Sequence, residues 1–259
     1  MLKNAWSFRN LALNFFQREL TGRYVGSING LFWILIHPLA LLGIYSVVFD
    51  TIFKVTAPVG DYSFIAFVAL GLWPWLSFQE GVQRGALSVQ ANAGLLKKVA
   101  FPNELLVYAA VAATYTIHGI GFIAALVVLA VSGNVLHYEA LPIVALILIA
   151  QFIFTLGLSS ILAALQVMLK DIEHLLSPMM MIWFYATPVL YSVTMVPVQV
   201  QKIMLLNPMV YFIQRTRELL MSGGGLIWND GVIVLSALCV FIAGRWFFNR
   251  LASHFEDFV

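Results

Sequence analysis

Few residues in this chain have the types and spacings that do covalent chemistry. Asp171 and His174 stand three apart and would share one helical face, as metal ligands sometimes do. No third ligand lies near them, so a helix cap or a surface ion pair is the better reading. His118 follows Thr114, Tyr115 and Thr116 inside an apolar stretch, where it serves either a function or hydrogen-bonded packing. Ser159 and Ser160 lack the Gly-x-Ser-x-Gly turn of a nucleophile and read as small residues for helix packing. The 12 Asp and Glu are scattered singly, which argues against an intramembrane lipid or glycan transferase, since that chemistry needs clustered carboxylates or a metal set. No Gly-x-x-x-x-Gly-Lys-Ser/Thr loop is present to cradle nucleotide phosphates. Cys239 is the single cysteine and falls in an apolar run, so no disulfide framework is expected. The informative polar feature is instead a basic run, Asn92 to Glu104, set between stretches apolar enough to cross a bilayer.

The elements around that run are membrane spans. With 61% hydrophobic and 10% charged residues, the chain has too little polar surface to cover a soluble globule. A span needs roughly 20 apolar residues to cross about 30 Å of hydrocarbon. Such runs extend over approximately Ile28 to Phe49, Tyr62 to Gln79, Leu105 to Val131, Leu141 to Leu169 and Leu175 to Tyr191. A sixth covers Gly231 to Phe248, with Arg245 near its end, where a long side chain can reach the headgroups. Six spans put both termini on one side. Lys3, Arg9, Arg18, Arg23, Arg84, Lys97, Lys98, Lys170, Arg245 and Arg250 share that side, against Lys54, Lys202, Arg215 and Arg217 on the other. The expectation is therefore a single all-α membrane domain over 1–259 with cytoplasmic termini. The charges among Met1 to Arg23 do not suit a cleavable signal, so this segment is expected to stay in the protein.

Three connecting segments stand out. In the first, residues 1–25, Lys3, Ser7, Asn10, Asn14, Gln17 and Thr21 draw a polar stripe opposite Phe8, Leu11, Phe15, Phe16 and Leu20. That predicts an amphipathic helix in the membrane interface or packed on another domain. The second, Glu80 to Glu104, is closed by Phe101-Pro102 and is either a solvated loop obeying the topology rule or a contact for a cytoplasmic partner. The third, over 193–222, holds two stretches of about a dozen residues separated by Asn207-Pro208, too short to span and suited to a pair of re-entrant helices.

These residues carry a resemblance. The run Arg18-Glu19-Leu20-Thr21-Gly22-Arg23-Tyr24-Val25-Gly26-Ser27, with Gly30, Trp33 and Pro38, resembles the N-terminal signature of the membrane subunits of type-two ABC exporters for O-antigen, capsule and teichoic acid. Further matches follow in order: Asn92, Leu95, Lys97 or Lys98 with Phe101-Pro102; Asp171-Ile172; Thr187-Pro188-Val189-Leu190-Tyr191; and Asn207-Pro208 with Arg217. Glu19, Asn29 and Lys170 depart from the family pattern.

The resemblance implies a homodimeric permease that exports a lipid-linked polysaccharide across the bacterial inner membrane. Two copies of a cytoplasmic ABC ATPase would drive it, with ATP and Mg on that partner and no cofactor or nucleic acid on this chain. It implies a coupling helix over 84–102, with Arg18, Arg23, Asn92, Leu95, Lys97 and Lys98 as ATPase-coupling candidates. Asn207, Pro208 and Arg217 become outer-gate candidates. Along the path, Tyr62, Trp73, Trp75, Tyr115, Trp183, Tyr185 and Tyr191 could pack ring faces on sugar C–H surfaces, or could form the interfacial belts common to membrane proteins. A drug exporter of the same family is the alternative cargo reading. A proton-driven carrier would need mid-span acids, and only Asp50 and Glu80, at span ends, approach that.

Overall fold

The computed structural model describes residues 8–22, 39–45, 63–96 and 101–255, with positions 36, 47 and 48; these form helices and connections. The calls on Arg23, Tyr62, Lys97 and Lys98 lie outside the described residues, as does most of the first expected span. The helices are α1 (Arg9–Gly22), α2 (Phe64–Ala91), α3 (Ala93–Leu96), α4 (Glu104–Val131), α5 (Leu141–Met168), α6 (Ile172–Tyr185), α7 (Val198–Met204), α8 (Pro208–Ser222) and α9 (Trp228–Ala252). A 3₁₀ turn, Tyr138–Ala140, leads directly into α5.

Three helical stretches are long and apolar enough to cross a membrane: Glu104–Val131, Tyr138–Met168 and Trp228–Ala252. They match three expected spans, and the other two described ones take a different form. The second was expected to stop near Gln79, but α2 continues to Ala91 and absorbs the first part of the expected coupling segment. No proline or cap interrupts Glu80 to Ala91, and Arg84 Nε donates to Glu80 Oε1 at 2.6 Å one turn away, an i,i+4 pair that favours helix. The run ends where Asn92 folds its Nδ2 back onto Ser88 O at 2.8 Å. The fifth was expected to reach Tyr191, but α6 stops at Tyr185 after 14 residues, about 21 Å at helical rise. Pro188 disfavours helical geometry at Thr187, whose hydroxyl instead returns to Trp183 O at 2.8 Å.

α5 lies at the centre, packed along α2 and α9, while α2 also packs on α4; α8 closes over α2 and α5, and α1 crosses α4. Small residues set these approaches. A Cβ on Gly244 of α9 would lie 2.1 Å from Gly157 O of α5, and one on Gly85 of α2 would lie 2.6 Å from Ser159 Cβ. Ser159 and Ser160 are buried and bond backbone carbonyls, the packing role expected of them. Pro74, inside α2, is braced by its carbonyl, which accepts from Gln151 Nε2 at 2.6 Å and Ser77 Oγ at 2.8 Å.

Several apolar faces are left open by a single chain. Val232, Leu235, Ile242 and Trp246 are exposed along α9. On α6 only Leu176 and Met180 are buried, while Leu175, Met179, Ile182 and Tyr185 face outward beside the exposed Val198, Val200 and Ile203 of α7. The amphipathic face of α1 is only partly free: Phe15 is buried against Leu106 and Ala109, with its ring 5.4 Å from that of Phe101.

Candidate functional site

The polar residues gather at the two ends of the bundle. At the end holding Asn92, Arg18 Nη2 on α1 donates to Asn92 Oδ1 at 2.6 Å, and the guanidinium lies 5.3 Å from the Phe15 ring centroid. Asn92 thereby joins the end of α2 to the amphipathic helix, while Leu95 of α3 packs on the Phe15 cluster. Three of the coupling candidates, Arg18, Asn92 and Leu95, thus form one unit. Sequence reasoning missed its neighbour: Arg245 was read as reaching for headgroups, but it pairs with Glu104, Nη2 to Oε1 at 3.1 Å and Nε to Oε2 at 3.2 Å. The two residues are 141 positions apart, and nothing local signals the contact.

At the opposite end, the Thr187-Pro188 and Asn207-Pro208 breaks come together. Asn207 caps α8, its Oδ1 accepting from Met209 N at 3.0 Å. The same oxygen accepts from Trp183 Nε1 at 2.9 Å, and Asn207 Nδ2 donates to Thr187 Oγ1 at 2.9 Å. One side chain therefore fixes both the start of α8 and the end of α6. Pro208 occupies the first turn of α8, where its missing N–H costs nothing.

Ten residues after Asn207, Arg217 supplies a second fastening. It is buried, with Nε donating to Phe67 O at 2.8 Å, Nη1 to Pro188 O at 2.6 Å and Nη2 to Val189 O, and its guanidinium lies 3.7 Å over the Phe67 ring. Its partners among the described residues are carbonyls and a ring, with no carboxylate. Gly71 leaves the room for it, since a Cβ there would meet Nη2 at 2.2 Å. Arg217 so ties α8 to the start of α2 and to the peptide just beyond α6. The neighbouring Arg215 turns the other way, to Asp230 at 2.9 and 3.0 Å and Gly225 O at 2.6 Å; Tyr211 donates to the same carboxylate at 2.7 Å. That buried pair, also missed in the sequence, fastens α8 to the first turn of α9.

The aromatic candidates divide. Trp73 and Trp75 are enclosed within the chain, Trp73 against Gly121 and Trp75 donating to Gln79 Oε1 at 2.7 Å. Tyr115 shares a hydrogen bond with Thr155 at 2.6 Å and, with Trp73, lines a cavity of about 430 Å³ between α2, α4 and α5. His118 Nε2 meets Glu80 Oε2 at 2.6 Å at its edge, a hydrogen-bonded packing contact. Trp183, Tyr185 and Tyr191 instead line an open groove of about 710 Å³ between α6 and α7, where Tyr185 is 62% exposed.

Long apolar helices, small-residue crossings and polar fastenings at the ends define a multi-pass membrane protein. The family model described as ABC-2 type transporter matches residues 12–221, from α1 through α8. An O-antigen export system permease protein RfbA from Myxococcus xanthus is 32% identical over 218 residues, 81% of this chain and 80% of that protein. A protein of the same name from Klebsiella pneumoniae is 30% identical over 247 residues, 93% of this chain and 91% of its own length. The polysialic acid transport protein KpsM of Escherichia coli is 24% identical over 211 residues, 80% of each chain. The chain belongs to the ABC-2 type transporter family.

Proposed function

We propose that this chain is the permease of an ATP-driven exporter that carries a lipid-linked polysaccharide of the O-antigen type across the bacterial cytoplasmic membrane. The observation that carries the reading is the similarity to an O-antigen export permease along 93% of the chain. Two permease copies assemble with two copies of a cytoplasmic ABC ATPase, which binds the ATP and Mg. The open apolar faces of α6 and α7 support a second copy beside the first, because a face of that size suits protein or lipid rather than water.

Each copy crosses the membrane six times with both termini in the cytoplasm, as the basic residues favour. α1 then lies at the inner interface, and the Arg18–Asn92 contact makes α1 and the end of α2 the lever on which the ATPase acts, with Lys97, Lys98 and Arg23 presented to it. α7 and α8 form the outer gate, held by Asn207 and Arg217, and Trp183, Tyr185 and Tyr191 contribute the path. Trp73, Trp75 and Tyr115 hold the bundle together from within. The lever moves as a rigid body when the ATPases close.

The test is where lipid-linked glycan resides in cells lacking this chain, or carrying Lys97→Ala with Lys98→Ala. Accumulation at the inner leaflet with synthesis intact supports the exporter. Normal surface glycan transfers the reading to a drug or other small-molecule exporter of the same family.

A further inference from the structure

Beside the Arg217 fastening lies a cavity of about 320 Å³ between the start of α2, the peptide after α6 and the last turns of α8. That is at the small end of the ~300–1,000 Å³ typical of small-molecule sites. Its composition differs from the apolar grooves elsewhere on the chain. Tyr191 forms one wall, its ring fixed by a hydrogen bond from the hydroxyl to Tyr185 O at 2.7 Å. Gln214, Glu218 and Ser222 come from successive turns of α8, and Arg217 forms the floor.

Much of the hydrogen-bonding capacity here is unspent. The Gln214 amide and the Ser222 hydroxyl bond no other described residue. Glu218 is 58% exposed at its side chain and touches Arg215 through one oxygen, at 3.0 Å. A guanidinium carries five N–H donors. Arg217 uses three on carbonyls, so two remain without a partner among the described residues. The cavity thus offers donors and acceptors side by side around one aromatic face. Adjacent hydroxyls on a ring need that mixture, each donating to one partner and accepting from another, while the ring C–H surface packs on an aromatic. A hydrocarbon chain would leave this spare capacity unmet.

We infer that this cavity is a sugar subsite in each copy, holding one ring of the polysaccharide beside the outer gate. The inference rests on the polysaccharide reading above and adds to it a place where the cargo is gripped. Hydroxyls of the ring donate to Glu218 and to Gln214 Oε1, and accept from Gln214 Nε2 and Arg217. Because Arg217 also fastens the gate through Pro188 and Val189, a ring in the cavity touches the same side chain that closes it.

The test uses the complete exporter in cells, with a benzoylphenylalanine photo-crosslinker replacing Gln214, and the same probe replacing Leu235 on the exposed face of α9 as control. Irradiation is expected to attach glycan to the permease from position 214 and not from 235, seen as a ladder that stains for the surface glycan. In a second arm, Gln214→Ala with Glu218→Ala is expected to slow the appearance of surface glycan about tenfold, as the loss of two hydrogen bonds allows, with the chain present at wild-type level in the membrane. No adduct from 214, or unslowed export by the double variant, overturns the subsite while the exporter stands. Cells lacking the chain that still display surface glycan overturn the exporter and the subsite together.

Discussion

Replacing Arg217 by Ala removes the donor that three buried carbonyls share, Phe67 O, Pro188 O and Val189 O. Pro188 O and Val189 O, outside any helix, are orphaned at about 1–3 kcal/mol each, while Phe67 O keeps its place in the α2 hydrogen-bond ladder. Removing a desolvated cation returns several kcal/mol, and the ring contact to Phe67 takes away a smaller amount. The balance is a net loss of about 3 kcal/mol. For chains of 150–250 residues about 1 kcal/mol moves the melting point by ~2–4 °C, so a fall of roughly 6–12 °C is expected in detergent. Arg217→Lys should recover only part of it, since an ammonium cannot reach carbonyls on three sides as a planar fork does. The assay is thermal unfolding of the purified chain, paired with ion leak across membranes that contain it. Because the lost bonds join α8 to the peptide after α6, leak should rise in Arg217→Ala and less in Arg217→Lys. A melting point within 1 °C of wild type, or a lysine variant as good as arginine, would refute the reasoning from these contacts.

Gly244→Val should detach α9 from α5, because the new side chain would start 2.1 Å from Gly157 O on a backbone that cannot yield; accelerated proteolysis of the last helix in membranes would register it, and a wild-type digestion pattern would count against the packing. Asn92→Ala should lower glycan export per ATP hydrolysed while shifting the melting point little, because Asn92 and Arg18 meet at an exposed contact; equal coupling ratios would remove the lever.

Local chemistry made part of this architecture readable in the sequence. The two X-Pro breaks, Thr187-Pro188 and Asn207-Pro208, announce where helices must stop and start, and Asn207 is the residue type that caps. The polar stripe of the first helix was equally plain. What escaped reading was long-range or cooperative. Glu104 with Arg245 and Arg215 with Asp230 are pairings of residues that look like ordinary span-end charges in isolation. Glu80 and Arg84 look like a span boundary in the sequence, yet α2 runs on through them because on one helical face they pair with each other. Trp73, Trp75 and Trp183 share a residue type and differ only in what packs over them, which periodicity does not encode.

The central claim is that this chain moves a lipid-linked polysaccharide under the drive of a separate ATPase. The most direct measurement reconstitutes the chain with that ATPase in vesicles carrying the glycan lipid on the ATPase side, and follows its reaction with a membrane-impermeant oxidant of sugar diols confined to the opposite side. Glycan is expected to become reactive only when Mg and ATP are supplied, and Arg217→Ala vesicles to lose this dependence through leak. ATP hydrolysis that proceeds with the glycan never reaching the far side would contradict it.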